Sequence, residues 1–204
     1  TIRDCLVINC NITADTGAVL GGMVSRNYGV ILDSAVQGGT LTSNSQTATG
    51  HAGFVGSNEA GGLIKRCWSS MDVNTQSEYA GGFVGLSYGG AIRDCFSLGD
   101  VRARSYSGGF AGRSVYDGNV YENCYAAGTL TVTEGNGYGF IGRSKPDSAF
   151  QPDVSKEVHN CYYNADSPTD GIATPKTLTE MGSSAFLTAL GGTSGVWQQA
   201  ADKN

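Results

Sequence analysis

The sequence predicts an all-β fold, a parallel β-solenoid of about five coils with a small helical cap at the C-terminal end. Three observations lead to this prediction: a motif that recurs every 27 to 31 residues, 31 glycines among 204 residues, and short apolar stretches between glycine turns. A repeat of this length has no core of its own and buries its inward side chains by stacking on the next repeat. We predict the coils over residues 1–165 and the cap over residues 166–204.

The composition argues against other classes of protein. Glycine inside a helix costs about 1 kcal/mol relative to alanine, which disfavours a helical bundle. A hydrophobic fraction of 40% disfavours a disordered chain. The net charge of -5, without a cluster of Lys and Arg, argues against nucleic acid as a partner. We expect no membrane insertion in this piece, and a monomeric segment of a larger chain.

The first repeated element is a Gly-Phe-Val-Gly stretch, or a close variant of it. Its copies begin at Gly22, Gly53, Gly82, Gly109 and Gly139. The phenylalanine is the only large apolar residue of each complete unit. We therefore predict an interior stack made of Phe54, Phe83, Phe110 and Phe140.

The second element is a position that holds five of the six cysteines, namely Cys5, Cys67, Cys95, Cys124 and Cys161. An apolar residue stands three positions earlier: Ile2, Ile31, Ile64, Ile92, Tyr121 and Val158. A polar-apolar-polar triplet follows, centred on Ile12, Leu41, Val73, Val101 and Leu130. These columns predict three short strands per coil.

Cys67, Cys95 and Cys124 are predicted to fill the core as reduced thiols. In a parallel column their Cβ atoms would stay about 4.8 Å apart, roughly 1 Å more than the mean value in a disulfide. The redox states of Cys5 and Cys10 stay open, since Cys10 lies off the column.

An aromatic residue follows the cysteine in four coils, giving the column Trp68, Phe96, Tyr125 and Tyr162. Strand alternation sends these rings outward if the cysteines point inward. The column is our candidate surface for a partner protein or a glycan. The alternative is a structural ladder that is partly covered by the C-terminal segment.

After Cys161 the repeat stops and a helix is predicted near 177–190. Thr177 and Glu180 have the spacing of a capping box, and Gly191-Gly192 would end the helix. The expected apolar stripe comprises Leu178, Met181, Phe186, Leu187 and Leu190. We expect the helix to cover the last rung, with Trp197 as an anchor.

No arrangement of residues predicts catalysis, a cofactor or a metal. Residues 85–89 match the Gly-x-Ser-x-Gly pattern, but a strand signal follows where a nucleophile elbow needs a helix, so Ser87 is interpreted as a turn residue. His51 and His159 fit no metal spacing and are interpreted as solvated loop residues. Asp72 and Asp100 could bring two carboxylates about 5 Å apart, as in retaining glycosidases, but each precedes an inward valine and should face solvent. Calcium binding stays open.

Residues 81–85 read Gly-Gly-Phe-Val-Gly, and residues 92–101 read Ile-Arg-Asp-Cys-Phe-Ser-Leu-Gly-Asp-Val. This pattern resembles the GLUG repeat, whose members read G-G-F-V-G and then I-x-N-C-Y-S-x-G-x-V, and the resemblance extends over about residues 1–165. The first two repeats depart from it, because Ser25 replaces a glycine and Ser34 replaces the cysteine.

The resemblance implies an extracellular, non-enzymatic stalk and interaction module of a bacterial cell-surface or secreted protein, adhesin-like in role. The implied partner is a host or bacterial surface protein or a glycan. Two alternatives stay open: an accessory domain of an IgA-cleaving peptidase, and a carbohydrate-binding or polysaccharide-acting β-helix.

Overall fold

The chain folds as a parallel β-solenoid of about five coils, which confirms the predicted fold class. The structure is a computed structural model and describes residues 1–15, 17–143, 149 and 151–191. The described strands pair in parallel and form four sheets that run along the solenoid. Only two short helices and one 3-10 turn, Val154–Lys156, interrupt the β structure of the described residues.

Sheets 1, 3 and 4 each collect one strand from successive coils, whereas sheet 2 collects one long strand from each of the first two coils and two short strands from each of the next three. Sheet 1 contains Ile2–Arg3, Val30–Leu32, Leu63–Lys65, Ala91–Arg93, Val120–Glu122 and Val158–His159. Sheet 2 contains Leu6–Ala14, Ala35–Ser43, Trp68–Ser69, Asp72–Thr75, Phe96–Ser97, Val101–Ala103, Tyr125–Ala126, Leu130–Val132, Tyr162–Asn164 and Thr174–Lys176. Sheet 3 contains Leu20–Gly21, His51–Ala52, Ala80–Gly81, Ser107–Gly108 and Gly137–Tyr138. Sheet 4 contains Val24–Asn27, Val55–Asn58, Val84–Ser87 and Ala111–Ser114.

The register of the strands matches the repeated columns of the sequence. Ile31 pairs with Ile64 in sheet 1, and Val73 pairs with Val101 in sheet 2. The inward members of these columns in the middle coils are buried and form one continuous core along the solenoid, against which the partly buried Ile2, Ile12 and Val158 pack. Stacked coils therefore supply each other with the core that a single coil lacks.

The corner between sheets 1 and 2 uses a left-handed backbone conformation in every coil. Six residues, each just before the cysteine position, have φ between 50° and 55°: Asp4, Asp33, Arg66, Asp94, Asn123 and Asn160. Asp and Asn tolerate this region better than other non-glycine residues, which explains why they dominate the position. Arg66 is the exception, and its guanidinium pairs with Asp33 of the previous coil.

The prediction of three strands per coil was too low. The coil that begins at Leu63 has five. The left-handed corner at Arg66 separates Leu63–Lys65 from Trp68–Ser69, and the Gly-Gly-Phe-Val-Gly stretch forms a further corner flanked by Ala80–Gly81 and Val84–Ser87. The glycine at this corner is required by close approach of the backbones: a Cβ on Gly82 would lie 2.5 Å from the Gly109 carbonyl oxygen.

The C-terminal segment differs from the predicted single helix. It forms α1, Leu178–Met181, and α2, Ser184–Ala189, because Ser183 caps a second helix where the first one ends. The capping box of Thr177 and Glu180 is present. Leu178, assigned to the apolar stripe, is 55% exposed. Trp197, the expected anchor, lies outside the described residues.

The two short helices are consistent with the predicted small helical cap, but a strand lies next to the last rung. The strand Thr174–Lys176 pairs with Tyr162–Asn164 and adds one more strand to sheet 2. The helices instead pack against the outer face of that sheet. The helices thus cover one side of the solenoid, and the strand Thr174–Lys176 extends the stack beyond the last rung.

Candidate functional site

The aromatic column lies on the outer face of sheet 2. Trp68 pairs in register with Phe96, Phe96 with Tyr125, and Tyr125 with Tyr162. The rings of Trp68 and Phe96 are nearly parallel with centroids 5.8 Å apart, and those of Phe96 and Tyr125 are 5.0 Å apart. We call these four residues the aromatic ladder.

One part of the aromatic ladder is covered by α2. The buried ring of Phe186 meets Tyr125 and Tyr162 edge to face, at centroid distances of 5.4 and 5.0 Å. The Asn160 side-chain amide donates a hydrogen bond to the Ala189 carbonyl at 2.8 Å and fixes the end of α2. Burial raises the pKa of the Tyr125 hydroxyl. The C-terminal segment therefore covers part of the ladder, which agrees with the structural alternative. Trp68 is the ring that lies farthest from α2 in the register.

A groove of about 520 Å³ begins where the aromatic ladder ends at Trp68. The residue in register with Trp68 in the previous coil is Ala35, and one coil further it is Leu6. Both residues line the groove together with Gln37 and the ion pair of Asp33 and Arg66. This groove joins an apolar floor to a polar rim.

The predicted phenylalanine column lies in the interior. Phe54, Phe83, Phe110 and Phe140 each have 0% exposure, and successive ring centroids are 4.7, 4.9 and 4.9 Å apart. Tyr121 meets the rings of Phe110 and Phe140 edge on. These residues hold the coils together and are not accessible to a partner.

The cysteine column lies in the core next to sheet 1. Cys67, Cys95 and Cys124 are buried free thiols, and each donates to the carbonyl two residues earlier at 3.0 to 3.3 Å. Burial raises the pKa of the Cys95 and Cys124 thiols. The reduced state in solution stays a prediction, which thiol counting under denaturing, non-reducing conditions checks.

The carboxylates of Asp72 and Asp100 cap the backbone of the following coil. Asp72 Oδ1 accepts the N–H of Asp100 at 2.9 Å, and Asp100 Oδ1 accepts the N–H of Thr129 at 2.7 Å. Both residues are exposed, as expected. Their shared position in the repeat is explained by these hydrogen bonds, which the residue pattern alone does not reveal.

His51 is not the solvated loop residue that we expected. It lies in sheet 3 with 0% exposure, its Nδ1 is 2.8 Å from the Thr75 hydroxyl, and its Nε2 is 3.0 Å from the Ala18 carbonyl oxygen. Desolvation lowers the pKa of the imidazole. Because the Ala18 carbonyl can only accept, the neutral ring carries its proton on Nε2.

Ser87 was interpreted as a turn residue, and this was wrong. It ends the strand Val84–Ser87, is fully buried, and aligns with Asn58 in the previous coil and Ser114 in the next. Asn58 in turn accepts a hydrogen bond from the Asn27 amide at 2.9 Å. This buried polar column was visible in the sequence as a small polar residue five positions after the first glycine of each unit.

Two further features concern metals and membranes. Across the described ranges, no group of three or more His, Cys, Asp and Glu side chains is placed to hold a metal ion. Among the same residues, no helix has the length and apolar character needed to cross a membrane.

The geometry defines the chain as a repeat protein of the parallel β-solenoid class. Comparison with family models adds the particular repeat: residues 76–102 match the GLUG motif. The match spans one coil, beginning just after the strand Asp72–Thr75 and ending within the strand Val101–Ala103, and it confirms for that coil the resemblance noted in the sequence. Neither the curated proteins nor the solved structures gave a match.

Proposed function

We propose that this chain is a non-enzymatic repeat module of a bacterial cell-surface or secreted protein, a stalk that also carries an interaction surface. The observation that supports this most directly is the in-register stack of outward rings that ends in an open groove at Trp68. The buried phenylalanine column joins the coils that carry these rings, and the GLUG motif adds the extracellular context that its resemblance implies.

The non-enzymatic part rests on what the polar groups already do. The carboxylates of Asp72 and Asp100 accept backbone N–H groups of the next coil, and His51 is buried between Thr75 and Ala18. A general acid or base must reach the proton of a bound substrate. These groups instead form hydrogen bonds that join neighbouring coils.

The proposed location at the cell surface or in the medium is tested with antibodies raised against the folded chain. We expect them to label intact, non-permeabilised cells of the bacterium that makes the parent protein, or to detect it in the culture medium. Labelling that appears only after permeabilisation would overturn the proposal. Beads coated with the chain should also adhere to host-cell or bacterial surfaces above the level of beads coated with albumin.

The absence of catalysis is tested on polysaccharides and proteins, by counting released reducing ends and new amino termini. We expect no turnover. Turnover that disappears in Asp72→Asn or Asp100→Asn, with both variants folded, would overturn the non-enzymatic assignment.

A further inference from the structure

The aromatic ladder does not extend into the first two coils. Along sheet 2, Leu6, Ala35 and Trp68 occupy one register position in three successive coils. From Trp68 towards the C-terminal end of the stack, Phe96, Tyr125 and Tyr162 each contribute a ring, whereas Ala35 on the other side contributes a methyl group. A space about one ring thick is left next to the face of Trp68 that points away from Phe96, because neighbouring strands are about 4.8 Å apart.

The dimensions of this space fit one six-membered ring. Leu6 and Trp68 are two strand spacings apart, about 9.6 Å, and a ring midway between them would make van der Waals contact with both. Trp68 and Phe96, with centroids 5.8 Å apart, show the spacing that such stacking has in this ladder. Ala35, 7% exposed, forms the floor, and Leu6, 53% exposed, forms the opposite wall.

The rim of the groove is polar and fixed in place. Arg66 donates from Nε and Nη2 to the two carboxylate oxygens of Asp33, at 2.5 and 2.8 Å. Both side chains keep about a third of their surface exposed, 36% for Arg66 and 29% for Asp33. Exposed Gln37 adds an amide that can both donate and accept.

We propose that the groove between Leu6 and Trp68 binds a neutral pyranose ring of a glycan. The apolar face of the sugar would stack on the indole and occupy the space next to it, and its hydroxyls would hydrogen-bond to Asp33, Arg66 and Gln37. This inference rests on the proposed function, because it names the partner class of the interaction surface.

The rim decides between ligand classes. A pyranose offers an apolar face and an edge of hydroxyls that donate and accept, which matches a groove with an apolar floor, a carboxylate, a guanidinium and an amide. An aromatic side chain of a partner protein would fill the same space but would offer at most one hydroxyl to the Gln37 amide and to the exposed parts of the Asp33–Arg66 ion pair. The carboxylates of Asp4 and Asp33 on the rim, together with the net charge of -5, disfavour acidic sugars.

The sharpest test fills the space with an aromatic side chain introduced by mutation. Ala35→Phe should extend the aromatic ladder by stacking on Trp68, and it should block the groove without removing any polar group of the rim. Trp68→Ala removes the stacking wall instead. Tyr28→Ala is the matched control, because Tyr28 is an aromatic residue 70% exposed outside the groove.

The probes are neutral oligomers of glucose, mannose, galactose and N-acetylglucosamine on an array, followed by isothermal titration with the oligomer that binds best. We expect at least a tenfold loss of affinity in Ala35→Phe and in Trp68→Ala, a smaller loss in Asp33→Asn, and unchanged binding in Tyr28→Ala. If Ala35→Phe fails to fold, as judged by circular dichroism, Trp68→Ala decides.

The proposal is overturned if no neutral oligosaccharide binds the unaltered chain, or if both groove variants bind as the unaltered chain does. Binding of an aromatic peptide without binding of any saccharide also overturns it. Adhesion of the coated beads separates the two levels of inference: adhesion that persists in Ala35→Phe would leave the proposed function standing and refute the groove as the site.

Discussion

At the scale of single residues, the coils are joined by buried rings and by buried polar groups. Phe83 lies between Phe54 and Phe110, with its ring nearly parallel to both. His51 links three segments of different coils through Thr75, Ala18 and Thr49. The contribution of the Phe83 stack to stability depends on packing, whereas that of the His51 hydrogen bonds depends on the protonation state of the imidazole. The two contributions can therefore be measured separately.

We predict that Phe83→Ala lowers the free energy of unfolding by about 3 to 5 kcal/mol, because it removes a fully buried ring and leaves a cavity between two others. Urea denaturation followed by circular dichroism measures the change. Tyr28→Ala is the control, with an expected change within about 0.5 kcal/mol, since Tyr28 is exposed. Equal midpoints for Phe83→Ala and the unaltered chain would show that the ring is not in the core.

We predict that stability decreases as the pH falls below about 6.5 and that His51 causes part of this decrease. Burial lowers the pKa of His51 in the folded state, whereas in the unfolded state it keeps the ordinary value near 6.5. Below that pH the unfolded state binds more protons than the folded state. The free energy of unfolding therefore decreases until the pH has fallen to the pKa of His51 in the folded state.

The test compares urea midpoints at pH 5 and pH 7 for the unaltered chain and for His51→Gln. Glutamine can still bond to the Ala18 carbonyl but does not titrate. We expect the pH dependence to be smaller in the variant, because contributions of all other groups cancel in the comparison. The same slope in both proteins would contradict the assignment.

At the scale of elements, the corner glycines set the distance between coils. A Cβ on Gly82 would lie 2.5 Å from the Gly109 carbonyl oxygen and 2.9 Å from the Ser97 hydroxyl oxygen. The equivalent Gly53 would meet the Gly82 carbonyl oxygen at the same distance of 2.5 Å. These glycines are therefore needed for space, and not for a left-handed backbone.

We predict that Gly82→Ala destabilises the fold by about 3 kcal/mol, the upper end of the cost of overpacking, because the carbonyl in its way belongs to a strand corner and cannot rotate aside. Gly29→Ala is the matched control, since a Cβ there meets nothing within 4 Å. Thermal unfolding of the two variants measures the difference. A Gly82→Ala variant as stable as Gly29→Ala would mean that the coils can separate at the corner without cost.

The columns of the solenoid could be predicted because each inward position repeats the same kind of side chain. Ile64 with Ile92 and Val73 with Val101 are examples that the register confirms. Positions that depend on a partner outside their own column could not be predicted. His51 is buried by Ala18 and Thr75, which no pattern places beside it, and α2 lies on the aromatic ladder because the Phe186 ring fits the edge of Tyr162.

At the scale of the whole molecule, the solenoid is a one-dimensional stack. Each coil touches only its neighbours, so a coil with one neighbour is held less strongly than a coil with two. The first coil shows this directly: Ile2 and Ile12 are only partly buried, whereas their counterparts Ile64 and Val73 have exposures of 0% and 1%. The last coil is different, because the strand Thr174–Lys176 and α2 pack against it.

We predict a gradient of backbone protection along the stack, with residues 2–14 exchanging their amide hydrogens fastest and residues 91–103 slowest. Among the strands that the structure describes, Leu6–Ala14 is paired on one side only, whereas Val101–Ala103 is paired on both sides. Hydrogen exchange followed by mass spectrometry of peptic peptides measures both segments in one experiment. Because local opening of a stack starts where a coil lacks a neighbour, equal protection of the two segments would show that the solenoid unfolds only as a single cooperative unit.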